Sequence, residues 1–315
     1  MPQIDYFVVD VFTQKALAGN PLAVVMNTCA LTTERMQAIA CEFNLSETTF
    51  IERRDLATEE AEGVRVRIFT TQEELDFAGH PTLGTASVLK MAAPECIAAE
   101  AGTGEKVTLR LNVGAVPVGF AQRSDEFEES YGEMTQRDPE FGAELEAGEV
   151  ARLIGLEVED LDPGLPPQTV STGTAFAIVA LRSDVALARL RVNQAEATTW
   201  LRERGARWFY VLGPVSRSES SEQPNWRARM QFYGGEDPAS GSAAGCAISY
   251  LVHHRTVGSG ERIHLRQGVE IGRTSDLYLS ARLDSSSGKD DSPRVTDVRV
   301  GGSTVLVAKG QLFLP

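Results

Sequence analysis

Three chemically capable side chains, His80, Asp237 and Ser242, sit where the chain turns from strand into helix, and a fourth, Glu47, stands before a strand-like run. In Phe69-Thr70-Thr71-Gln72-Glu73-Glu74-Leu75-Asp76-Phe77-Ala78-Gly79-His80-Pro81-Thr82-Leu83-Gly84, a strand-like run ends and a helix begins. Pro81 suits a first helical turn, because the amide it lacks has no partner there anyway. Gly79 and His80 are therefore expected at a helix N-terminus, where free N–H groups and the helix dipole attract an anion. A far downstream stretch, Glu236-Asp237-Pro238-Ala239-Ser240-Gly241-Ser242-Ala243-Ala244-Gly245, has the same design: strand, acid, small residues, helix. Glu47 is the candidate acid/base group. A carboxyl in a water-poor cleft is easier to protonate, so it can take a proton from carbon and return it. Each residue has a plainer alternative. His80 could be a buried structural histidine, Glu47 the acid of a capping box begun by Asn44, Asp237 a turn residue before Pro238, and Ser242 a helix N-cap.

The elements that must position these residues follow from periodicity. Residues 4–12 and 22–26 are apolar and read as strands, separated by a Gly19-Asn20-Pro21 turn. Thr32 or Thr33 can cap a helix whose Met36, Ile39, Ala40 and Phe43 share one face and which stops near Asn44. Residues 48–51 and 64–69 read as strands, 81–90 as a helix, and 107–111 and 115–120 as strands. Residues 122–148 are acidic and lack a period. They are expected to be a linker or surface insertion with a short helix near its end. Residues 285–292 read as a second surface loop.

Internal duplication is visible. Gly19-Asn20-Pro21-Leu22-Ala23-Val24-Val25 matches Gly173-Thr174-Ala175-Phe176-Ala177-Ile178-Val179. Arg65-Val66-Arg67-Ile68 matches Arg227-Ala228-Arg229-Met230, and Gly84-Thr85-Ala86 matches Gly245-Cys246-Ala247, at offsets of 154, 162 and 161. Helix 32–43 has its partner in 194–204, and strand 48–51 in 207–211. The expected architecture is two similar α/β halves facing a cleft, a favoured place for a small anionic substrate. Aligned on Phe50 and Phe209, Glu47 falls opposite Ala206, so only one half carries the carboxylate.

Composition narrows the function. The 315 residues are 42% hydrophobic and 23% charged, with a net charge of −14. An acidic chain without a basic cluster argues against nucleic acid or an anionic membrane as partner. No apolar run approaches the roughly 18 residues of a transmembrane helix, and the start shows no signal-peptide pattern. The four cysteines (Cys29, Cys41, Cys96 and Cys246) are scattered like reduced thiols, which points to a cytoplasmic protein. His253 and His254 suit the negative end of a helix, and no metal-ligand spacing occurs, so no metal is expected.

Taken together, Ala18-Gly19-Asn20-Pro21-Leu22-Ala23-Val24-Val25, Asn44-Leu45-Ser46-Glu47-Thr48, Phe69-Thr70 with Glu74-Leu75, Phe77 to Gly84 and Glu236 to Gly245 resemble the phenazine-biosynthesis isomerase-like (PhzF-like) family. The resemblance covers nearly the whole chain. It implies a diaminopimelate-epimerase-like α/β (α+β) fold of two pseudo-twofold-related halves, each a sheet wrapped around a central helix. The halves are expected as 1–125 and 126–315, with the last strand, about 305–315, able to return to the first. It further implies a cofactor-free isomerase, typically a homodimer, that moves a proton within a small carboxylate. Glu47 matches the family's acid/base residue. His80, Asp237 and Ser242 match substrate-holding residues, with Asn20, Gly79 and Gly241 beside them. Thr71 and Asp76 depart from a usual proline and Ser240 from a usual threonine, and the charge of Asp76 bears on the substrate's charge pattern. Two other readings compete: a serine hydrolase using Ser242, His80 and Asp237, although Ser242 lies outside a G-x-S-x-G elbow, and a non-catalytic small-acid-binding relative. A two-cysteine racemase would need a thiol at both helix starts, where His80 and Ser242 stand.

Overall fold

The computed structural model describes residues 3–100, 104–120, 131–215, 225–232, 235–284 and 293–314. The chain divides into two compact units, Met1–Thr135 with Gly301–Pro315, and Gln136–Val300. The division falls after Thr135 rather than after residue 125, and the long last strand runs through both units.

The first unit is built from β1 (Gln3–Val11), β2 (Asn20–Val25), α1 (Thr33–Phe43), β3 (Glu47–Glu52), α2 (Leu56–Glu62), β4 (Val64–Phe69), β5 (Glu74–Leu75), α3 (Gly79–Ala92), β6 (Ala98–Glu100), β7 (Gly104–Leu111), β8 (Gly114–Phe120) and β9 (Tyr131–Thr135). Strand β1 pairs antiparallel with β2, β2 runs parallel to β3, β3 antiparallel to β4, and β4 parallel to β7. Strands β7, β8 and β9 continue as an antiparallel meander. The sheet curls around α3, whose residues Gly79 to Leu89 are all buried. Such a helix has no solvent-facing polar stripe, and from Gly79 to Leu89 its residues are mostly small or apolar, with no Asp, Glu, Lys or Arg. Gly84 shows how close the strands come. A Cβ there would lie 2.7 Å from both Leu22 Cδ2 and Val11 Cγ2.

Local chemistry sets the boundaries. Thr32 caps α1 by accepting from the Arg35 amide. Asn44 ends it in the left-handed conformation at φ 51°, with its own N–H bonded to the Ala40 carbonyl. Asn tolerates that region better than most residues. So Asn44 closes one helix and does not open another, which removes the capping-box explanation of Glu47. Helix α3 begins at Gly79, two residues before the expected Pro81.

The second unit comprises β10 (Glu140–Glu144), α4 (Ala147–Ile154), β11 (Gln168–Ser171), β12 (Ala175–Ala180), α5 (Gln194–Glu203), β13 (Trp208–Pro214), β14 (Trp226–Arg229), β15 (Gln231–Phe232), β16 (Gly235–Glu236), α6 (Gly241–His253), β17 (Ile263–Gln267), β18 (Ser275–Asp284) and the first part of β19 (Arg294–Phe313). The pairings repeat those of the first unit: β11–β12 antiparallel, β12–β13 parallel, β13–β14 antiparallel, β14–β17 parallel and β17–β18 antiparallel. Helix α6 is its central helix, buried from Ala243 to Val252. The end of β19, from Thr304 to Phe313, pairs antiparallel with β1 in the first unit.

Of the residues 122–148 expected as a linker or surface insertion, 122–130 lie outside the described residues, as does the expected 285–292 loop. The division between the units falls within the rest, which also holds the strands β9 and β10 and, as expected, a helix start near its end. The acidic β10 shows mostly exposed side chains, so it lacks the apolar alternation that marks a strand. The fold is held there by backbone pairing with β11.

Register also revises the duplication. Phe50 faces Arg67, and Val211 faces Arg229, so Phe50 corresponds to Val211 and Glu47 to Trp208, not Ala206. Each Arg in turn grips a glutamate seven residues on. Arg67 Nε and Nη2 donate to Glu74 at 2.8 and 2.6 Å, and Arg229 Nε and Nη2 donate to Glu236 at 2.9 and 2.5 Å. These forked pairs brace the turn that leads into each central helix. The second is far more buried, at 5% and 6% side-chain exposure against 15% and 24%. Arg229→Met would strand Glu236 in the interior, so it is expected to lower the unfolding free energy by about 3–5 kcal/mol. Arg67→Met should cost clearly less. Urea unfolding of the two variants beside the wild type checks the order.

Candidate active site

In the first unit, three expected residues come together. Asn20 opens β2, Glu47 opens β3 beside it in parallel register, and His80 is the second residue of α3. All three are buried. The Asn20 side-chain amide lies 3.1 Å from His80 Nδ1. An amide nitrogen can only donate, so Nδ1 must accept and the ring proton sits on Nε2. That Nε2 lies 3.4 Å from Glu47 Oε2, too poorly aligned to count as a hydrogen bond. Burial drives the His80 imidazole down to about 3 from an ordinary 6.5. His80 is thus a neutral, Nε2-protonated donor near neutral pH. It can polarise or orient an acid, but it is a poor proton carrier.

The start of α3 has no side-chain cap. Its first amides, at Gly79 and His80, precede the first helical acceptor and add partial positive charge at the same end. Asp76 is exposed, so its charge is solvated rather than directed into the buried triplet.

In the second unit the helix start is built differently. Asp237 follows β16, and its amide donates to the Met230 carbonyl at 2.9 Å. Ser240 Oγ donates to Asp237 Oδ2 at 2.6 Å. Ser240, not Ser242, occupies the N-cap position of α6, and no side chain caps the helix. Gly241 is the first helical residue, and its carbonyl accepts from Gln136 Nε2 at 2.9 Å. Ser242 is half-buried at the second position. The Gln136, Tyr210 and Gln267 side chains around these residues were not foreseen, and Ser240 stands out in the sequence only as a departure from a usual threonine. A lone polar residue in a strand or just after one carries no periodic signal, and only burial reveals it.

Two competing chemistries lose their geometry here. His80 Nδ1, the atom a hydrolase triad would give to a carboxylate, is taken by Asn20, and Asp237 is held by Ser240. The Cys246 thiol is fully buried, and desolvation pushes it up to about 12, far from a reactive thiolate. Among the described residues, no group of three or more His, Cys, Asp or Glu side chains is placed to hold a metal, and no helix is long and apolar enough to cross a membrane.

A sequence model described as phenazine biosynthesis-like protein matches residues 9–310. The chain belongs to this PhzF family. Several of its relatives are named as isomerases. The trans-2,3-dihydro-3-hydroxyanthranilate isomerase of Pseudomonas aeruginosa is 33% identical, over 98% of this chain and 99% of its own length. The PhzF-family phenazine biosynthesis protein of Bacillus anthracis superposes with a TM-score of 0.80 at 25% identity, covering both chains completely. A hydroxyproline epimerase of Agrobacterium vitis shares the fold alone, with a TM-score of 0.62 at 10% identity over 98% of this chain and 92% of its own. The PhzF chain described here therefore has the two-halved α/β epimerase-like fold, with one central helix in each half.

The buried neutral imidazole has a measurable consequence. An unfolded histidine protonates near 6.5 and folded His80 only near 3. The unfolded state binds the proton first, so this contribution to stability is full above about pH 6.5 and is lost as pH falls towards 3. The slope from one group is about 1.4 kcal/mol per pH unit. Between pH 6.5 and 5 the wild type should lose about 2 kcal/mol more than His80→Gln. Urea unfolding of both proteins across that interval tests it.

Proposed function

We propose that this PhzF-family protein isomerises a small carboxylate of the amino- or hydroxy-acid type, with Glu47 as its single acid/base group and without metal or organic cofactor. The supporting observation is the asymmetry at the register position of Glu47. The first unit places a carboxylate beside a neutral imidazole, and the second has Trp208 there. A two-base racemase needs an acid/base group from each half, whereas one carboxylate suits removal of a proton from one carbon and its return to another. With His80 held near 3, the proton falls to Glu47 rather than to the imidazole.

In this reading the His80 Nε2–H and the first amides of α3 orient the substrate and steady the negative charge that develops as the proton leaves carbon. Asn20 keeps the imidazole in the required tautomer. Asp237, Gly241 and Ser242 are assigned to substrate holding. The relative's name supplies the first substrate to try, trans-2,3-dihydro-3-hydroxyanthranilate, an acid with a transferable carbon-bound proton.

Glu47→Gln keeps shape and loses the titratable proton. It should bind ligand nearly as well as the wild type and turn over about a hundredfold or more slowly. In D₂O the wild type should place solvent deuterium in the product and the variant none. Unchanged turnover in Glu47→Gln, or loss of wild-type activity with a chelator, would sink the proposal. Ser242→Ala should chiefly raise KM.

A further inference from the structure

The second unit carries a buried polar relay in which Gln267, Asp237 and Ser240 stand where the first unit has apolar residues. Gln267, at the end of β17, is fully buried and uses both ends of its side-chain amide. Its Oε1 accepts from the Ser240 amide at 3.1 Å and from the Tyr210 hydroxyl at 3.0 Å. Its Nε2 donates to the Asp237 carbonyl at 2.8 Å and to Ser240 Oγ at 2.9 Å.

The orientation is forced. The Ser240 backbone amide can only donate and the Asp237 carbonyl can only accept, so the Gln267 amide has one possible way round. Ser240 Oγ then receives a proton from Nε2, and its own proton is directed to Asp237 Oδ2 at 2.6 Å. The way round of the Gln267 amide follows from two backbone groups, and it leaves the Ser240 proton available to Asp237. Asp237 is thereby addressed as an acceptor, which favours the carboxylate over the acid. Tyr210 belongs to the same network. Desolvation, with Asp237 and Cys246 nearby, holds its phenol well above the ordinary value, so it remains a donor.

Fold alone does not call for this relay. Arg65 faces Arg110 and Arg227 faces Arg266, so Gln267 corresponds to Leu111. By the same registers Asp237 corresponds to Leu75, Ser240 to Ala78 and Tyr210 to Thr49. Leu111, Leu75 and Ala78 are buried and make a comparable strand-to-helix turn without polar side chains. Buried polar networks are costly unless fully satisfied, and here one half has the network and the other does without it.

We propose that Gln267, with Tyr210, is a positioning residue that fixes the Ser240 hydroxyl and through it holds Asp237 as an ionised, oriented acceptor for substrate. The kinetic part of this inference rests on the isomerase reading; the structural part does not. Neutron diffraction on the deuterated protein reads the direction of the bonds without substrate. The hydroxyl deuteron is expected on Ser240 Oγ, pointing to Asp237, with the Gln267 amide deuterons on Nε2 and directed to Ser240 Oγ and the Asp237 carbonyl. A deuteron on the Asp237 carboxyl pointing to Ser240 would overturn the proposal. Gln267→Leu installs the first unit's residue, and Gln267→Leu with Tyr210→Phe removes the stranded hydroxyl if the single variant folds poorly. Crystal structures should show α6 in place and the Asp237 carboxylate turned away; an unmoved carboxylate would count against positioning.

With trans-2,3-dihydro-3-hydroxyanthranilate as probe, Gln267→Leu should raise KM about tenfold with little change in kcat. Adding it to Asp237→Asn should change KM little further, since both act through one group. Full additivity would show that Gln267 works through something else. A wild type inert towards this probe would count against the substrate assignment, leaving the relay to be decided by the neutron map and the variant structures.

Discussion

A helix that starts inside the protein has little water to satisfy its first amides. That constraint organises both units of this protein. Each wraps a sheet around one apolar helix, and each must bring the first turn of that helix, with its unmade amide bonds and partial positive charge, to a point where something polar can meet it. Neither α3 nor α6 has a side-chain cap. Buried polar side chains gather at these two helix starts, His80 with Asn20 and Glu47 at one and Ser240 with Asp237 and Gln267 at the other.

The approach to each start is stiffened in the same way. A forked Arg–Glu pair spans the turn between strand and helix, Arg67 with Glu74 in one unit and Arg229 with Glu236 in the other. The duplicated frame supplies rigidity, and the residues that differ at equivalent positions supply the chemistry. Glu47 stands against Trp208, His80 against Ser242, and the apolar Leu75 and Leu111 against Asp237 and Gln267. The first unit therefore holds a carboxylate beside a neutral imidazole, whereas the second holds a carboxylate inside a chain of directed hydrogen bonds. The frame of the two units is repeated, and their buried polar groups are not.

Much of this was legible in the sequence. The strands 64–69 and 48–51 showed runs of β-branched and aromatic residues, helix α1 showed a 3.6-residue period, and its ends carried Thr32 and Asn44. The two Gly-rich helix starts were legible because close packing and a free first turn both demand small residues, and the internal repeat because Arg-x-Arg and Gly-Asn-Pro-like stretches recur. The Glu47, His80 and Asp237 residue types could be read as chemistry, and the family resemblance gave them roles.

Tertiary structure decided the rest, for reasons of register and burial. Strand β10 is exposed along most of its length, so its sequence has no alternation and passes for a linker until its backbone finds β11. The counterpart of Glu47 moved from Ala206 to Trp208, because pairing with β4 and β14, not the nearest phenylalanine, fixes the alignment. The tautomer of His80 needed the Asn20 amide, sixty residues away in the chain, on one side of the ring. Its neutrality needed complete removal from water. Gln267, Tyr210 and Ser240 looked like unremarkable polar residues on strands and a turn. Their role follows from a hydrogen-bond direction that only the folded backbone can impose, because it is the fixed donor at Ser240 and the fixed acceptor at Asp237 that orient everything between them.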